Sequence, residues 1–413
     1  MSEPLVIVGN GMAAARLVDE LAKVALGRYA IAVIGDEPRL AYNRVLLSSV
    51  LAGEVASSEI ELKPQGWWRD RGITLRYGCR ATAIDTRTRT VALADGQSLP
   101  FSRLVFATGS QPIRPQIPGM ALPGVITFRD IGDIWTIWHR AGSGDRVVVI
   151  GGGLLGLEAA YGLAKAGARV TVLHLMDRLM ERQLDRQAAR MLQRAVEAMG
   201  IEVILNADTA EIAGTSRVEG VTLKDGRTIE ADAVVVAIGI RPSADLARAA
   251  GIAVKRGIVI DDALETDVAG IHAIGECAEH RGICYGLVEP AHDQARVLAD
   301  RLCGRDAHYP GSVLATNLKV SGVNVFSAGD FLGAEGTEDI ILSDPGLGLY
   351  KKFVIANGRL AGAVLFGDTA DGLWYLELIR SGVPIEAFRD DLAFGRALVQ
   401  RIPDPAPTLR LAA

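Results

Sequence analysis

Short apolar runs recur along the chain: LVIV at 5–8, IAVI at 31–34, RLVF at 103–106, VVVI at 147–150, RVTVL at 169–173 and AVVVAI at 233–238. Runs of this length with little polar alternation predict strands covered on both faces, as in a parallel sheet, and they are far too short to span a bilayer. Two of them lead straight into a glycine-rich turn and then into helix-forming sequence: LVIVGNGMAAARLVDE at 5–20 and VVVIGGGLLGLEAAYG at 147–162. That succession is how a dinucleotide-binding unit opens. Such a unit normally opens its domain, yet the second copy lies in the middle of the chain.

Laid over one another, the two stretches match Gly9 with Gly151, Gly11 with Gly153 and Ala14 with Gly156. Further on, the turn Asp95-Gly96 and the strand leading to Ala107-Thr108-Gly109 recur as Asp225-Gly226 and Ala237-Ile238-Gly239. A repeated strand–GxGxx(G/A)–helix, each followed by a hairpin and a strand ending in glycine, predicts two dinucleotide-binding domains. In each loop the glycines let the backbone approach a pyrophosphate, and the helix N-terminus offers unpaired N–H groups and a positive dipole end. The strand after the first loop ends at Asp36 and Glu37, where a carboxylate can hold a ribose; its counterpart ends at His174, which is not acidic.

Past residue 242, the stretch Gly270 to Ile274 followed by Gly275-Glu276 predicts another strand ending at a ligand, and VEPAHDQARVLADRL has helical periodicity after Pro290. From about 311 the pattern changes to alternating strand-like runs, KVSGVNVFSAG and YKKFVIANGRLAGAVLFGD, then an amphipathic helix around 371–381. This predicts a third, α+β domain. The proline-rich end, RIPDPAPTLRLAA, is expected to fray. A length of 413 residues leaves room for two to three domains.

Hydrophobic residues make up 49% of the chain, yet the longest apolar candidate, around 147–166, contains Glu158 and Lys165 and is broken by glycines, so no membrane association is expected. MSEPLVIVG has no basic region and no cleavage site, which predicts a cytoplasmic protein. A net charge of −5 with mixed signs argues against nucleic acid as a partner. Cys79, Cys277, Cys284 and Cys303 are spaced too widely for iron–sulfur ligation or a flavin-linked dithiol.

Together, VIVGNGMAAARLVDEL, DEPRLAYNRVLLSS, FATGS, VVIGGGLLGLEAAYGL, AIGIRP and HAIGECAEH resemble the FAD- and NAD(P)H-binding portion of pyridine-nucleotide-disulfide-type oxidoreductases. Within that superfamily they are most similar to the flavoprotein part of assimilatory NAD(P)H nitrite reductase and the diaphorase subunit of assimilatory nitrate reductase. The resemblance implies an α/β fold with two Rossmann-like dinucleotide-binding domains plus a C-terminal α+β domain. The FAD domain would comprise 1–115 and 245–310, the NAD(P)H domain 116–244 would be inserted between them, and 311–413 would form the last domain. The insertion accounts for the fingerprint in mid-chain.

By the same resemblance, Gly9, Gly11 and Ala14 face the FAD pyrophosphate, and Asp36 or Glu37 holds the adenosine ribose. Arg44 and Ser48 in YNRVLLSS lie toward the flavin, Glu276 beside Gly275 holds the ribityl chain, and Ala107, Thr108 and Gly109 complete the cofactor-binding set. Gly151, Gly153, Gly156, His174 and Gly239 fall to NADH or NADPH. Glu158 matches the glutamate beside the nicotinamide and is the one side chain assigned a catalytic role. His272, Cys277, His280 and Cys284 could be drawn as a zinc site, but the same stretch carries the flavin motif Gly275-Glu276, so no metal is expected.

AYNRVLLSSVLAG lacks the cysteine that disulfide reductases carry there, which argues against dithiol chemistry, and has Ser49 where ferredoxin and rubredoxin reductases often have lysine. The expected function is transfer of electrons from NAD(P)H through FAD to a partner redox protein. That partner would be a molybdenum nitrate reductase, a sirohaem/iron–sulfur nitrite reductase subunit or a small iron–sulfur carrier, the last making the chain a rubredoxin or ferredoxin reductase. A redox-sensing interaction protein that binds FAD and NADH without turnover is the alternative from another class. With no acid at 174 to repel a 2′-phosphate and Arg178 nearby, the expected preference for NADH over NADPH is weak.

Overall fold

The computed structural model describes residues 2–24, 27–142, 144–320 and 322–399; the proline-rich stretch 401–413 lies outside the described residues. Two compact units form from interleaved stretches. The first comprises the described residues of 1–113, 129–134 and 239–312, the second those of 114–128, 135–238 and 313–413.

In the first unit, Glu3–Val8 is the central strand of a five-stranded parallel sheet, between Tyr29–Gly35 and Arg103–Phe106, with Thr74–Tyr77 at one edge and Ile271–Ala273 at the other. Leu5 to Val8 are all buried, as an unbroken apolar run requires when both faces of a sheet are covered. Helices Met12–Val24 and Val288–Leu302 pack together, and their Leu17, Leu21, Leu298 and Leu302 share the core of this sheet. The second helix starts two residues before Pro290 rather than after it. Proline is tolerated in a first turn because its missing N–H has no intrahelical partner to lose. Val8 stands opposite Ile34 and Phe106, and Ala273 opposite Phe106, so the carboxyl ends of four strands lie level.

The second unit repeats this plan. Arg146–Ile150 is central, Arg169–Leu173 and Glu202–Ile204 lie on one side, and Ala233–Val236 and Val125–Thr127 on the other, all parallel. The same unit holds a five-stranded antiparallel sheet in the order Ala315–Val320, Val323–Gly329, Arg359–Phe366, Leu349–Ala356, Glu338–Asp344. Helix Gly372–Ser381 covers it with Trp374, Tyr375 and Leu378 against Phe326, Phe353 and Leu365.

Ser110–Pro112 pairs antiparallel with Ile240–Pro242, and the Ile113 N–H donates to the Gly239 carbonyl at 2.9 Å. The chain segments that follow Gly109 and Gly239, equivalent points of the repeat, thus meet in a two-stranded ribbon within the first unit.

Gly9 sits at φ 118°, and a Cβ there would stand 2.0 Å from the Ala107 carbonyl oxygen. Gly9→Ala is therefore expected to cost roughly 3 kcal/mol or more in urea unfolding of the flavin-free protein. Gly11→Ala, where a Cβ meets nothing within 4 Å, should change stability by no more than about 1 kcal/mol. Equal stability of the two variants would contradict this account of the loop.

Candidate cofactor-binding sites

The level strand ends of the first unit gather Gly9 to Gly11, Asp36 and Glu37, Ala107 to Gly109, and Gly275 and Glu276 along one sheet edge. The Gly9 N–H donates to Ile34 O at 2.7 Å, Ala107 N–H to Val8 O at 2.7 Å and Ile274 N–H to Phe106 O at 2.9 Å, so each loop leaves its strand in a fixed direction. Space in front of Gly11 is open, and the helix starting at Met12 brings first-turn N–H groups that have no intrahelical acceptor. Ala14, fully buried, packs this helix down on the sheet. The Gly275 N–H donates to the buried Gln294 Oε1 at 2.7 Å, while Gln294 Nε2 and Asn10 Oδ1 are buried without a partner. Orphaned buried polar atoms beside an open glycine loop suit a polar ligand such as a dinucleotide.

The carboxylates divide into two kinds. Glu37 is engaged internally, accepting from Tyr42 Oη at 2.7 Å and pairing with Arg44, whose Nη1 donates to the Arg129 carbonyl at 3.0 Å. Glu276 accepts from Ser110 Oγ at 2.9 Å and pairs with Arg129. Asp36 is 70% exposed at its side chain and has only a loose pair with Arg80 at 3.9 Å. Ser48 lies in the short helix Leu47–Leu51, and Thr108 Oγ1 donates to Ser243 O at 2.6 Å. Arg129, which joins Glu276 and Ser110, has no local sequence signal, because its partners are remote along the chain.

The four residues of the drawn zinc site go separate ways. His272 is a buried strand residue whose imidazole is pushed down to about 4 by burial. His280 Nε2 meets Asp262 Oδ1 at 2.9 Å, the Cys277 thiol is fully buried with its pKa pushed up by burial, and Cys284 is part-buried. Among the described residues no three His, Cys, Asp or Glu side chains are placed to hold a metal.

In the second unit the Gly151 N–H donates to Leu173 O at 2.8 Å, and a Cβ on Gly151, at φ 124°, would stand 2.3 Å from Ala237 O. Gly153 opens on free space, and Gly156 abuts the Gly151 carbonyl so closely that a Cβ would lie 1.8 Å away. Glu158, on helix Leu154–Lys165, is part-buried. Desolvation alone drives its carboxyl up to about 8. His174 Nδ1 accepts the Gly152 N–H at 3.0 Å, and its Nε2 lies 3.1 Å from Glu181 Oε2. The structure thus sets a carboxylate, Glu181, at a strand end where the residue itself is not acidic. No local sequence signal marks Glu181, which lies beyond the strand end and returns to it only through the turn at Met180. Gly239 belongs to the ribbon of the first unit.

Residues 3–295 match the pyridine nucleotide-disulphide oxidoreductase family model. The chain belongs to the pyridine nucleotide-disulphide oxidoreductase family. Members of this family are FAD-containing, NAD(P)H-dependent enzymes, and residues 315–383, which hold the antiparallel sheet and its covering helix, match the rubredoxin NAD+ reductase C-terminal domain. It is 46% identical over 382 residues to a nitrite reductase [NAD(P)H] of Bacillus subtilis, covering 92% of this chain and 48% of that one. It is 42% identical over 368 residues to the assimilatory nitrate reductase electron transfer subunit of the same organism, covering 89% and 48%. The chain therefore spans about half the length of these relatives. A ferredoxin reductase from Rhodopseudomonas palustris superposes with a TM-score of 0.85 at 28% identity, covering 95% of this chain and 100% of that one.

The raised Glu158 carboxyl has a stability consequence. Between the ordinary value of 4.5 and about 8 the folded protein holds this proton while the unfolded chain has lost it, so stability falls as pH rises through that window and levels off above it. Glu158→Gln removes the penalty. The variant should match the parent in thermal unfolding near pH 4.5 and exceed it by a margin that grows up to about pH 8; a pH-independent difference would refute the shift.

Proposed function

We propose that this oxidoreductase is the electron-input flavoprotein of nitrate or nitrite assimilation, taking electrons from NADH or NADPH and delivering them to a partner redox protein. The observation that carries the reading is a pair of open glycine loops, each at the carboxyl edge of its own parallel sheet, in a chain 46% and 42% identical to the two Bacillus subtilis relatives. FAD, when bound, supplies acceptance of a hydride and onward release of single electrons.

The residues fit that cofactor in named roles. Gly9, Gly11, Ala14 and the helix start would hold the pyrophosphate, and Asp36, the acid without a close partner, the adenosine ribose. Glu37 fixes Arg44 toward the flavin, near Ser48, while Arg129 and Ser110 orient Glu276 beside Gly275 and Ala107 to Gly109. All but Arg129 belong to an FAD domain at 1–115 and 245–310; Arg129 comes from the stretch 129–134 that returns to the first unit. In the NAD(P)H domain at 116–244, Gly151, Gly153 and Gly156 would take the second pyrophosphate. Glu158, protonated at neutral pH, can donate a hydrogen bond beside the nicotinamide.

The domain at 311–413 would dock the partner, a molybdenum nitrate reductase or a sirohaem/iron–sulfur nitrite reductase subunit. The match of 315–383 to a rubredoxin reductase domain and the Rhodopseudomonas palustris superposition favour a second reading, with a small iron–sulfur carrier as acceptor. Among the described residues no helix is long and apolar enough to cross a membrane.

The purified protein is expected to carry one non-covalent FAD, lost in Gly11→Leu, and to oxidise NADH with ferricyanide. Under anaerobic conditions it should leave nitrate and nitrite untouched until the partner is added. Catalytic consumption of either anion by this chain alone would overturn the partner assignment, and an NADH-inert protein would overturn the enzyme.

A further inference from the structure

We infer that Glu181, held in place by His174, is the carboxylate that selects NADH over NADPH; this rests on the assignment of NAD(P)H to the second glycine loop. In a Rossmann unit the strand after the glycine helix ends beside the adenosine ribose, and an acid there binds the 2′-hydroxyl. Here that strand ends at His174, which is 8% exposed. Its Nδ1 accepts the Gly152 N–H at 3.0 Å. A backbone N–H can only donate, so Nδ1 is bare and the ring proton sits on Nε2, which lies 3.1 Å from Glu181 Oε2.

Three features bring Glu181 back to the strand end. Met180 adopts φ 49°, a left-handed conformation uncommon outside glycine, and its N–H donates to the Gly152 carbonyl at 3.0 Å. Gly152 therefore clamps both ends of the segment 174–180, one with its N–H and the other with its carbonyl. It must also lack a side chain, since a Cβ would lie 2.6 Å from Leu179 Cδ2 and 2.7 Å from His174 Cγ. The carboxylate ends beside the glycine loop with its side chain 21% exposed.

Two of the three neighbouring arginines are already paired with an acid. Arg178 and Arg186 both pair with Asp177, at 3.0 and 2.6 Å. Arg182 is 86% exposed and its Nε lies 3.8 Å from Glu181 Oε1. A dinucleotide with a free 2′-hydroxyl fits this charge arrangement, and a 2′-phosphate meets a carboxylate. The weak preference expected from the strand-end residue alone is replaced by a clear one for NADH.

The test is equilibrium titration of the FAD-loaded protein with ADP-ribose and 2′-phospho-ADP-ribose, which differ at the ribose and carry no nicotinamide, alongside KM and kcat for NADH and NADPH. The parent should favour ADP-ribose by about tenfold or more. Glu181→Gln should weaken ADP-ribose by about tenfold, tighten the phosphorylated form, and raise the KM for NADH relative to that for NADPH. His174→Asn keeps an acceptor for Gly152, but its shorter side chain cannot put its NH2 where Nε2 faces Glu181; it should move the binding ratio the same way by a smaller factor, as a positioning residue does. An unchanged ratio in Glu181→Gln overturns the role of Glu181 while leaving the domain assignment intact. A parent that binds neither probe overturns the assignment itself, and this inference with it.

Discussion

One close approach recurs in both dinucleotide units, between a loop glycine and the first carbonyl past the neighbouring strand: Gly9 against Ala107, Gly151 against Ala237. Any side chain at either glycine would overlap that oxygen, so the distance between the two strand ends is set by a missing methyl group. From this contact the rest follows. The helix begins shortly after the strand with first-turn N–H groups that lack an intrahelical acceptor, and the level carboxyl ends turn four separate chain segments into one surface.

Among the acids of the two glycine-loop units, those with close partners and those without differ in what they can do. Glu37 and Glu276 each have a guanidinium and a hydroxyl, and serve to fix arginine side chains. Asp36 and Glu158 lack such partners, one in solvent and the other within a helix face, and the second responds to desolvation by holding its proton. A structure that ties down some carboxylates and leaves others available separates scaffolding from ligand contact without changing residue type.

The sheet strands, both glycine turns and the third domain were legible because short apolar runs and glycine spacing are local signals. The register of the repeat followed from the same spacing. Three things were not legible. Helix Val288–Leu302 begins before its proline, since first-turn proline is neutral and marks no boundary. Arg129 reaches Glu276 across a long sequence separation, which no periodicity encodes. Glu181 acts at a position that the sequence assigns to His174, because the left-handed turn at Met180 folds the chain back on itself; a methionine gives no hint of such a turn, as a glycine would have done.

The ribbon of Ser110–Pro112 with Ile240–Pro242 closes the base of the excursion that carries the second glycine loop, although residues 129–134 return to the first unit part-way. Seen from the sheet of the first unit, more than a hundred residues occupy the place of a hairpin turn. Closing so long a loop costs only slightly more entropy than closing a short one, about 0.6 kcal/mol per doubling of length. A host fold with such a port can exchange the inserted module for another of different ligand preference without re-registering any of its own strands.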